Sequence, residues 1–261
     1  MKKLISFTIK AEKGFLKKPD INEGIYLTYN MLHKPALLGI LGAIIGLEGY
    51  KKNEQMPEYY KELKDIPVGV APVGDEKGNF QKTKITYSNT TGMASNEAGG
   101  NLIVTEQTLI KPSYKIYLLL DLEKENEKKL YQNIKEQKAE YLPYLGKNDY
   151  SLWWDKEEVE EYDEWELFNK KSNFSISTLF KKDEAIVNYI AKAMGRRALA
   201  GQKNDFNYFE RLPFNLNEKL FQYNYADFAY SNVILEEEVK VNSNNLYQVI
   251  KEEKQEIIFL Y

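Results

Sequence analysis

The sequence predicts an α+β fold, and three of its segments carry that prediction. Residues 4–11 (LISFTIKA) alternate apolar and polar side chains as a strand does. Residues 35–50 (PALLGILGAIIGLEGY) form the most apolar run of the chain and begin with a proline, which is favoured in the first turn of a helix. Residues 123–137 (EKENEKKLYQNIKEQ) place Leu130 and Ile134 four apart, on one face of an amphipathic helix.

The other elements are predicted between and around these three. Strands are expected at residues 24–30, 66–74, 80–89, 102–110 and 114–122, and a short helix at residues 58–65. Residues 88–101 are rich in Gly, Ser, Asn and Thr, which predicts the flexible tip of a long hairpin. The order strand, helix, strand, hairpin, strand, helix is close to a ferredoxin-like split βαβ unit with an enlarged hairpin.

The chain lacks a Pro- or Ser-rich linker, so its two parts are expected to pack together. We assign residues 1–150 to the ferredoxin-like domain, with the hairpin at about 81–108. Residues 151–261 are aromatic-rich and lack clear periodicity. They are predicted to form a smaller, irregular C-terminal part.

Composition narrows the class of protein. The chain has 261 residues, of which 43% are hydrophobic, enough for a sizeable core. It has no cysteine, which excludes disulfides and thiolate zinc sites and fits a reducing cytoplasm. Lys10, Glu12 and Lys13 interrupt the apolar N-terminus, which is therefore interpreted as a strand and not a signal peptide. Residues 35–47 are apolar but shorter than the roughly 20 residues that span a bilayer, so no membrane partner is predicted.

Charge is unevenly distributed, although the net charge is only −3. Residues 155–166 (DKEEVEEYDEWE) are the densest part of an acidic belt, interpreted either as a solvated face or insertion loop, or as a contact with a basic partner. Nucleic-acid binding needs a local basic face, which N-terminal lysines could supply. These are Lys10, Lys13, Lys17, Lys18, Lys82, Lys84, Lys111 and Lys115.

Glycines recur along the apolar helix. Gly39, Gly42 and Gly46 form one stripe on a helix, and Gly49 extends it. A glycine inside a helix costs roughly 1 kcal/mol relative to alanine, so something is expected to approach that backbone closely. The interpretations are packing of a buried helix on a sheet, a surface for an RNA backbone or partner subunit, and a membrane helix pair, which the short length disfavours.

Catalytic motifs are absent from the sequence. It contains no phosphate-binding loop, no dinucleotide fingerprint, no nucleophile elbow and no zinc-protease motif. The single histidine, His33, is interpreted as a helix-entry residue. Acidic clusters such as residues 236–238 lack the spacing of a metal site, so neither a metal nor a cofactor is predicted. The 20 Tyr, 12 Phe and 3 Trp provide rings that can stack on RNA bases.

Several segments together resemble a known family. They are residues 7–22 (FTIKAEKGFLKKPDIN), 27–50 (LTYNMLHKPALLGILGAIIGLEGY), 101–120 (NLIVTEQTLIKPSYKIYLLL), 139–151 (AEYLPYLGKNDYS) and, near the end, 210–220 (ERLPFNLNEKL). In order and spacing they are similar to the fifth numbered CRISPR-associated family. That family is the RAMP-superfamily subunit of type I Cascade, here in its type I-B form, which caps the 5′ handle of the CRISPR RNA (crRNA).

The resemblance implies a ferredoxin-like, RRM-like RAMP domain that holds the crRNA handle. Its projecting hairpin, the thumb, would be residues 81–108, with Met93 and neighbouring glycines at the tip, and the glycine helix would be the first RAMP helix. Lys17 and Lys18 are the first candidates for phosphate contacts. Further RNA-binding candidates are Lys13, Lys82, Lys84, Lys111 and Lys147. Several such contacts would make binding strongly salt-dependent.

The resemblance also implies partners and a role in antiviral defence. The partners would be the crRNA handle, the Cascade backbone and large subunits and, through the guide, target DNA. Type I-C relatives cleave precursor crRNA with a Tyr and a Lys–His pair in mid-chain. This sequence has no histidine after His33, so a non-catalytic scaffold is expected.

Two alternatives remain. One is an endoribonuclease using Tyr26, Tyr29, His33 or Lys111. The other is a protein-interaction module that lacks RNA affinity and uses the acidic belt.

Overall fold

The computed structural model describes residues 1–20, 24–52, 54–75, 77–88, 102–169, 173–182, 206–235, 243–251 and 254–261. Its helices are α1 (Lys34–Ile45), α2 (Glu58–Leu63) and α3 (Glu125–Lys135). The strands up to α3 are β1 (Lys2–Ala11), β2 (Lys13–Gly14), β3 (Leu16–Lys17), β4 (Thr28–Tyr29), β5 (Val68–Pro72), β6 (Lys82–Ser88), β7 (Ile103–Ile110) and β8 (Ser113–Asp121). The later strands are β9 (Leu152–Trp153), β10 (Glu160–Tyr162), β11 (Glu164–Leu167), β12 (Phe180–Lys181), β13 (Asn207–Asn217), β14 (Gln222–Ser231), β15 (Leu246–Lys251) and β16 (Lys254–Phe259). The predicted α+β class is therefore realised mainly as antiparallel sheets with few helices.

The main sheet has the strand order β10–β1–β8–β5, and every pairing in it is antiparallel. β1 is buried on both faces, so even its polar Ser6 has no exposed surface. Ser6 Oγ lies 3.1 Å from the hydroxyl of Tyr162 on β10. The alternation of residues 4–11 thus predicted a strand correctly, although its polar side faces protein and not water.

The three predicted helices form, but α1 ends at Ile45 and not at the predicted Tyr50, so Gly49 does not extend a helical glycine stripe. His33 caps α1, accepting at Nδ1 from the backbone N–H of Ala36 (3.3 Å), and Gly46 ends the helix in the left-handed conformation. α3 buries Leu130 and Ile134 completely. It also satisfies the end of α1, because Lys129 Nζ donates to the carbonyl of Ile45 (2.8 Å). No helix of the described residues is long and apolar enough to cross a membrane.

The hairpin strands β6 and β7 pair in register from Lys82 and Leu109 outward to Ser88 and Ile103. Residues 89–101, with the predicted tip residue Met93, lie outside the described residues. The strand predicted at residues 24–30 is shorter than expected, since only Thr28 and Tyr29 of those residues form β4.

The C-terminal part is more regular than predicted. β12, β14 and β13 form one antiparallel sheet, and β11, β15 and β16 form another. A register shift between Pro213 and Asn215 interrupts β13, which hides its alternation in the sequence. The C-terminal part packs on the rest of the chain through Tyr60 and Leu216. The Tyr60 hydroxyl donates to the backbone carbonyl of Leu216 (3.2 Å) and accepts from the backbone N–H of Leu216 (2.7 Å).

The densest part of the acidic belt forms sheet strands and not an insertion loop, since β10 joins the main sheet and β11 joins the sheet of β15 and β16. Its strand β10 pairs with β1, and its carboxylates form ion pairs with lysines of the same chain. These pairs are Lys3–Glu161 (2.9 Å), Lys10–Asp155 (2.9 Å), Lys10–Glu158 (2.5 Å), Lys115–Glu160 (2.7 Å) and Lys135–Glu161 (2.5 Å). Burial acts to raise the pKa of Glu161, but the bonds from Lys135 and Lys3 lower it to about 2. Lys10 and Lys115 are therefore engaged within the fold.

Candidate nucleic-acid interface

The segments that carry the family resemblance converge at one place. β2, from the first segment, pairs with β7, from the third, through Lys13 and Ile110. β3 pairs with β4 of the second segment. Phe15 donates its backbone N–H to the carbonyl of Leu145, in the fourth segment (3.1 Å). Residues distant in sequence thus build one surface around β2 and β3.

A groove of about 530 Å³ runs beside α1 at this surface. Its walls carry the rings of Tyr50, Tyr59, Tyr141, Tyr144, Tyr223 and His33. Tyr50 and Tyr141 are 64% and 54% exposed. Lys17 also lines the groove, and it is exposed. Exposed rings beside a cation are what single-stranded RNA binds, because rings stack on bases and ammonium groups pair with phosphates.

The glycines of α1 serve different purposes. A Cβ on Gly42 would lie 2.4 Å from the Cβ of Tyr59, so the close neighbour of the helix is α2 and not a sheet. A Cβ on Gly39 would meet only the Tyr59 ring, at 3.8 Å, so this residue lines the open groove. Gly46 has a φ of +82°, which glycine adopts readily. Close packing is found at Gly42, against Tyr59, and at Gly46, where a Cβ would lie 3.1 Å from the Cβ of Glu140.

Lys17 and Lys18 are adjacent in sequence but differ in environment. Lys17 is exposed, with its Nζ 3.9 Å from the centre of the Tyr26 ring. The Lys18 side chain is 28% exposed, and its Nζ lies 3.5 Å from Oε1 of Glu210. Lys17 is therefore the better placed of the two to reach a phosphate.

Glu210 and Asn30 hold the loop before α1. The Glu210 carboxylate is 8% exposed and accepts from the backbone N–H groups of Asn30 (3.1 Å) and Met31 (3.0 Å). Lys82 donates to the Asn30 side-chain oxygen (2.9 Å), and burial lowers the pKa of Lys82. Lys82 thus supports the loop, whereas Lys84 on the same strand is exposed. Glu210 was not predicted as a site residue, although it opens the resembling segment 210–220.

The remaining candidates lie around the base of the hairpin. Lys147 pairs with Glu106 of β7 (2.9 Å), with its Nζ 4.2 Å from the centre of the Tyr87 ring on β6. It therefore contacts both strands of the hairpin. Lys13 and Lys111 are exposed, and Lys111 has a φ of +46°, which is uncommon for a residue with a side chain.

Two of the four candidates for RNA cleavage, Tyr29 and His33, are buried, whereas Tyr26 is half-buried and Lys111 is exposed. His33 is 4% exposed and lies between the rings of Tyr29 (5.2 Å) and Tyr223 (5.7 Å). Burial lowers the pKa of His33 to about 3 and raises that of Tyr29. Tyr26 forms a backbone bridge with Glu106. In the described residues, no group of three or more His, Cys, Asp or Glu side chains could hold a metal ion.

No protein-family model matches the chain, and no curated protein matches it. Among solved structures it is similar to a chain of a CRISPR RNA-guided surveillance complex, at 10% identity and a TM-score of 0.48, over 88% of this chain and 91% of that one. It is also similar to a CRISPR protein from Archaeoglobus fulgidus, at 12% identity and a TM-score of 0.44, over 98% of each chain. A chain of the type III-B Cmr-beta complex bound to cognate target RNA shows 9% identity and a TM-score of 0.42, over 99% of each chain.

Proposed function

We propose that this chain is a non-catalytic RNA-binding subunit of a CRISPR RNA-guided surveillance complex, where it holds the 5′ handle of the crRNA. The observation that carries the proposal is the convergence of the resembling segments on one surface that joins the aromatic groove to exposed lysines. More specifically, the chain would be a subunit of a type I-B Cascade complex in the cytoplasm. Its partners would be the backbone and large subunits and, through the guide, target DNA.

The connectivity of the main sheet supports a ferredoxin-like RAMP domain. If β1, β5, β8 and β10 are taken as its four strands, their spatial order is fourth, first, third, second. Because β10 is Glu160–Tyr162, such a domain extends beyond the boundary predicted at residue 150. α1 follows the first strand and α3 follows the third, as in a split βαβ unit. The hairpin of β6 and β7 is inserted between the second and third strands, where the resemblance expects a thumb.

The environment of His33 favours a non-catalytic scaffold function of the chain over a nuclease function. A general acid or base works best when its pKa lies near the operating pH, and the His33 pKa is far below neutrality. Its Nδ1 is also occupied as the cap of α1. A histidine in this role stabilises the helix start beside the groove.

The test is binding of the full chain to a labelled RNA carrying the cognate repeat handle, over a salt series, with a scrambled handle as control. Lys17→Gln removes the groove cation, and Lys128→Gln removes an exposed lysine of α3 as a matched control. We expect handle-preferring binding in which Lys17→Gln reduces the slope of log affinity against log salt by about 1, with no change for Lys128→Gln.

The same RNA is afterwards run on a denaturing gel. Intact RNA with handle preference supports the scaffold. Shortened RNA without added metal would favour the endoribonuclease. Absence of binding at low salt, even with the backbone subunit present, would favour the protein-interaction module.

A further inference from the structure

The groove beside α1 is lined by residues of very different exposure. The rings of Tyr50, Tyr141 and Tyr144 are 64%, 54% and 46% exposed, so they form the mouth of the groove. His33 also lines the groove but is only 4% exposed, so it belongs to the floor. A molecule that contacts His33 must therefore enter the groove past the exposed tyrosine rings.

The helix cap fixes which ring nitrogen of His33 carries a proton. Nδ1 accepts from the backbone N–H of Ala36 (3.3 Å), so this nitrogen has no proton. Burial lowers the pKa of His33 to about 3, so the imidazole is neutral at neutral pH. A neutral imidazole has one N–H group, which must then be at Nε2. His33 therefore has one further hydrogen-bonding group, the Nε2–H donor.

This Nε2–H donor has no acceptor in the part of the chain that the structure describes. The rings of Tyr29 and Tyr223 flank the imidazole in edge-to-face arrangements, with ring centres 5.2 and 5.7 Å away, but neither hydroxyl accepts from it. Buried donors usually have a partner. Because His33 lines the groove, a molecule bound in the groove can supply that acceptor.

The other lining residues favour an uncharged, flat occupant. Lys17 is the one charged side chain among the described residues that line the groove. A single exposed cation can pair with one phosphate at the mouth, whereas the interior offers tyrosine rings and the apolar side chains of Phe15, Ile40 and Leu142. Nucleobases stack on such rings, and their ring nitrogens and carbonyl oxygens accept hydrogen bonds. A volume of about 530 Å³ is enough for a base.

We propose that one unpaired base of the bound RNA turns into this groove and accepts a hydrogen bond from the Nε2–H of His33. The inference rests on the proposed RNA-binding function, and it adds a side chain that recognises a base in place of the backbone. An RNA strand lying across the mouth would contact Tyr50 and Tyr141 without reaching His33. His33 would thus have two roles, since Nδ1 caps α1 and Nε2 binds the base.

The first test uses the single histidine of the chain. In the full chain, labelled with ¹⁵N-histidine and prepared without a polyhistidine tag, every imidazole signal in an NMR spectrum comes from His33. Binding of the cognate handle RNA should shift the Nε2–H signal and slow its exchange with water. A series of handle RNAs, each lacking the base at one position, identifies the inserted base as the one whose removal abolishes these changes.

The second test couples that base to His33. His33→Asn keeps an oxygen that can cap α1 but removes the Nε2–H. Removal of the inserted base should weaken binding to the parent at least about tenfold, and His33→Asn should weaken binding of the intact handle about twofold to tenfold. Because the two changes remove the same contact, base removal should cost less in His33→Asn than in the parent. Lys128→Gln should match the parent with every RNA.

A non-polar isostere of the inserted base separates the hydrogen bond from stacking, because it stacks but does not accept. The parent should bind the isostere more weakly than the natural base, and His33→Asn should bind the two equally. Circular dichroism checks that His33→Asn is folded. If it is not, the NMR series and the isostere decide the test in the parent alone.

Three results would overturn this inference while leaving the proposed function intact. They are handle-preferring binding with an unchanged His33 signal, equal affinity of the parent for the natural base and its isostere, and independent effects of His33→Asn and base removal at every position. Absence of RNA binding at low salt, even with the backbone subunit present, would instead overturn the proposed function and this inference together.

Discussion

Gly146 lies directly against the backbone of Phe15. A Cβ built on Gly146 would be 1.8 Å from the Phe15 carbonyl oxygen, and the φ of Gly146 is +86°. Only glycine fits here, for reasons of both space and backbone conformation. This contact joins the fourth resembling segment to the first.

Gly146→Ala should therefore destabilise the protein by more than about 2 kcal/mol, since a left-handed alanine and a backbone clash both oppose folding. Gly49→Ala is the matched control, because nothing lies within 4 Å of a Cβ at that position. Urea unfolding of both variants measures the difference. Equal stability of the two would contradict the close approach at Gly146.

Substitution of Gly42 and of Gly39 in α1 by alanine should change the stability of the protein in opposite directions. Gly42→Ala should cost about 1–3 kcal/mol, because its Cβ would overlap the Cβ of Tyr59. Gly39→Ala meets only ordinary contacts and should stabilise the helix by up to about 1 kcal/mol. If the groove holds RNA, Gly39→Ala should nevertheless weaken RNA binding, because its methyl group narrows the groove. Thermal unfolding and RNA titration of the same sample separate stability from binding.

The single histidine predicts a pH dependence of stability. Burial lowers the His33 pKa from 6.5 to about 3, so between these values the unfolded state binds a proton that the folded state excludes. The free energy of unfolding therefore carries no penalty from His33 above pH 6.5, and it decreases as the pH falls from 6.5 towards 3. We expect a loss of about 1.4 kcal/mol between pH 7.5 and 5.5.

His33→Asn is the matched variant for that measurement. Asparagine is a good helix cap but does not titrate in this range. Urea unfolding at both pH values should show that the loss of stability shrinks in His33→Asn. An unchanged loss would mean that other groups cause the pH dependence.

Lys147, in the resembling segment 139–151, forms an ion pair with Glu106 of the hairpin strand β7. We therefore expect that segment to stabilise the hairpin. The two side chains are 22% and 9% exposed, so removing either leaves a poorly solvated charge. Lys147→Met and Glu106→Gln should each cost about 1–3 kcal/mol, and the double variant less than their sum. Hydrogen exchange of β6 and β7 should quicken in each single variant. Additive costs would show that the pair does not support the hairpin.

Local patterns predicted most of the element order between residues 4 and 137. β1, α1 and α3 each have a signature within their own residues, namely alternation, a proline start and a four-residue apolar spacing. The strand at residues 24–30 was predicted too long. The backbone N–H of Asn30 donates to Glu210, which is 180 residues away, and no local pattern contains that information.

The groove was only partly predictable. The glycines and Lys17 were identified from sequence, but the rings of Tyr50, Tyr141 and Tyr223 come from separate loops and strands. Lysine roles were least predictable, because Lys17 and Lys18 have the same chemistry. Their difference arises from one carboxylate on β13.

The acidic belt makes the charge of the molecule asymmetric, which the net charge of the whole chain does not show. Carboxylates on β10 and the turn before it neutralise Lys3, Lys10 and Lys115 along one edge of the main sheet, and further acids of β11 remain exposed there. A polyanion approaching that edge is repelled, whereas Lys13, Lys17 and Lys84 remain exposed elsewhere. The chain would thus orient an incoming nucleic acid before any contact forms, and association should be faster than the overall negative charge suggests.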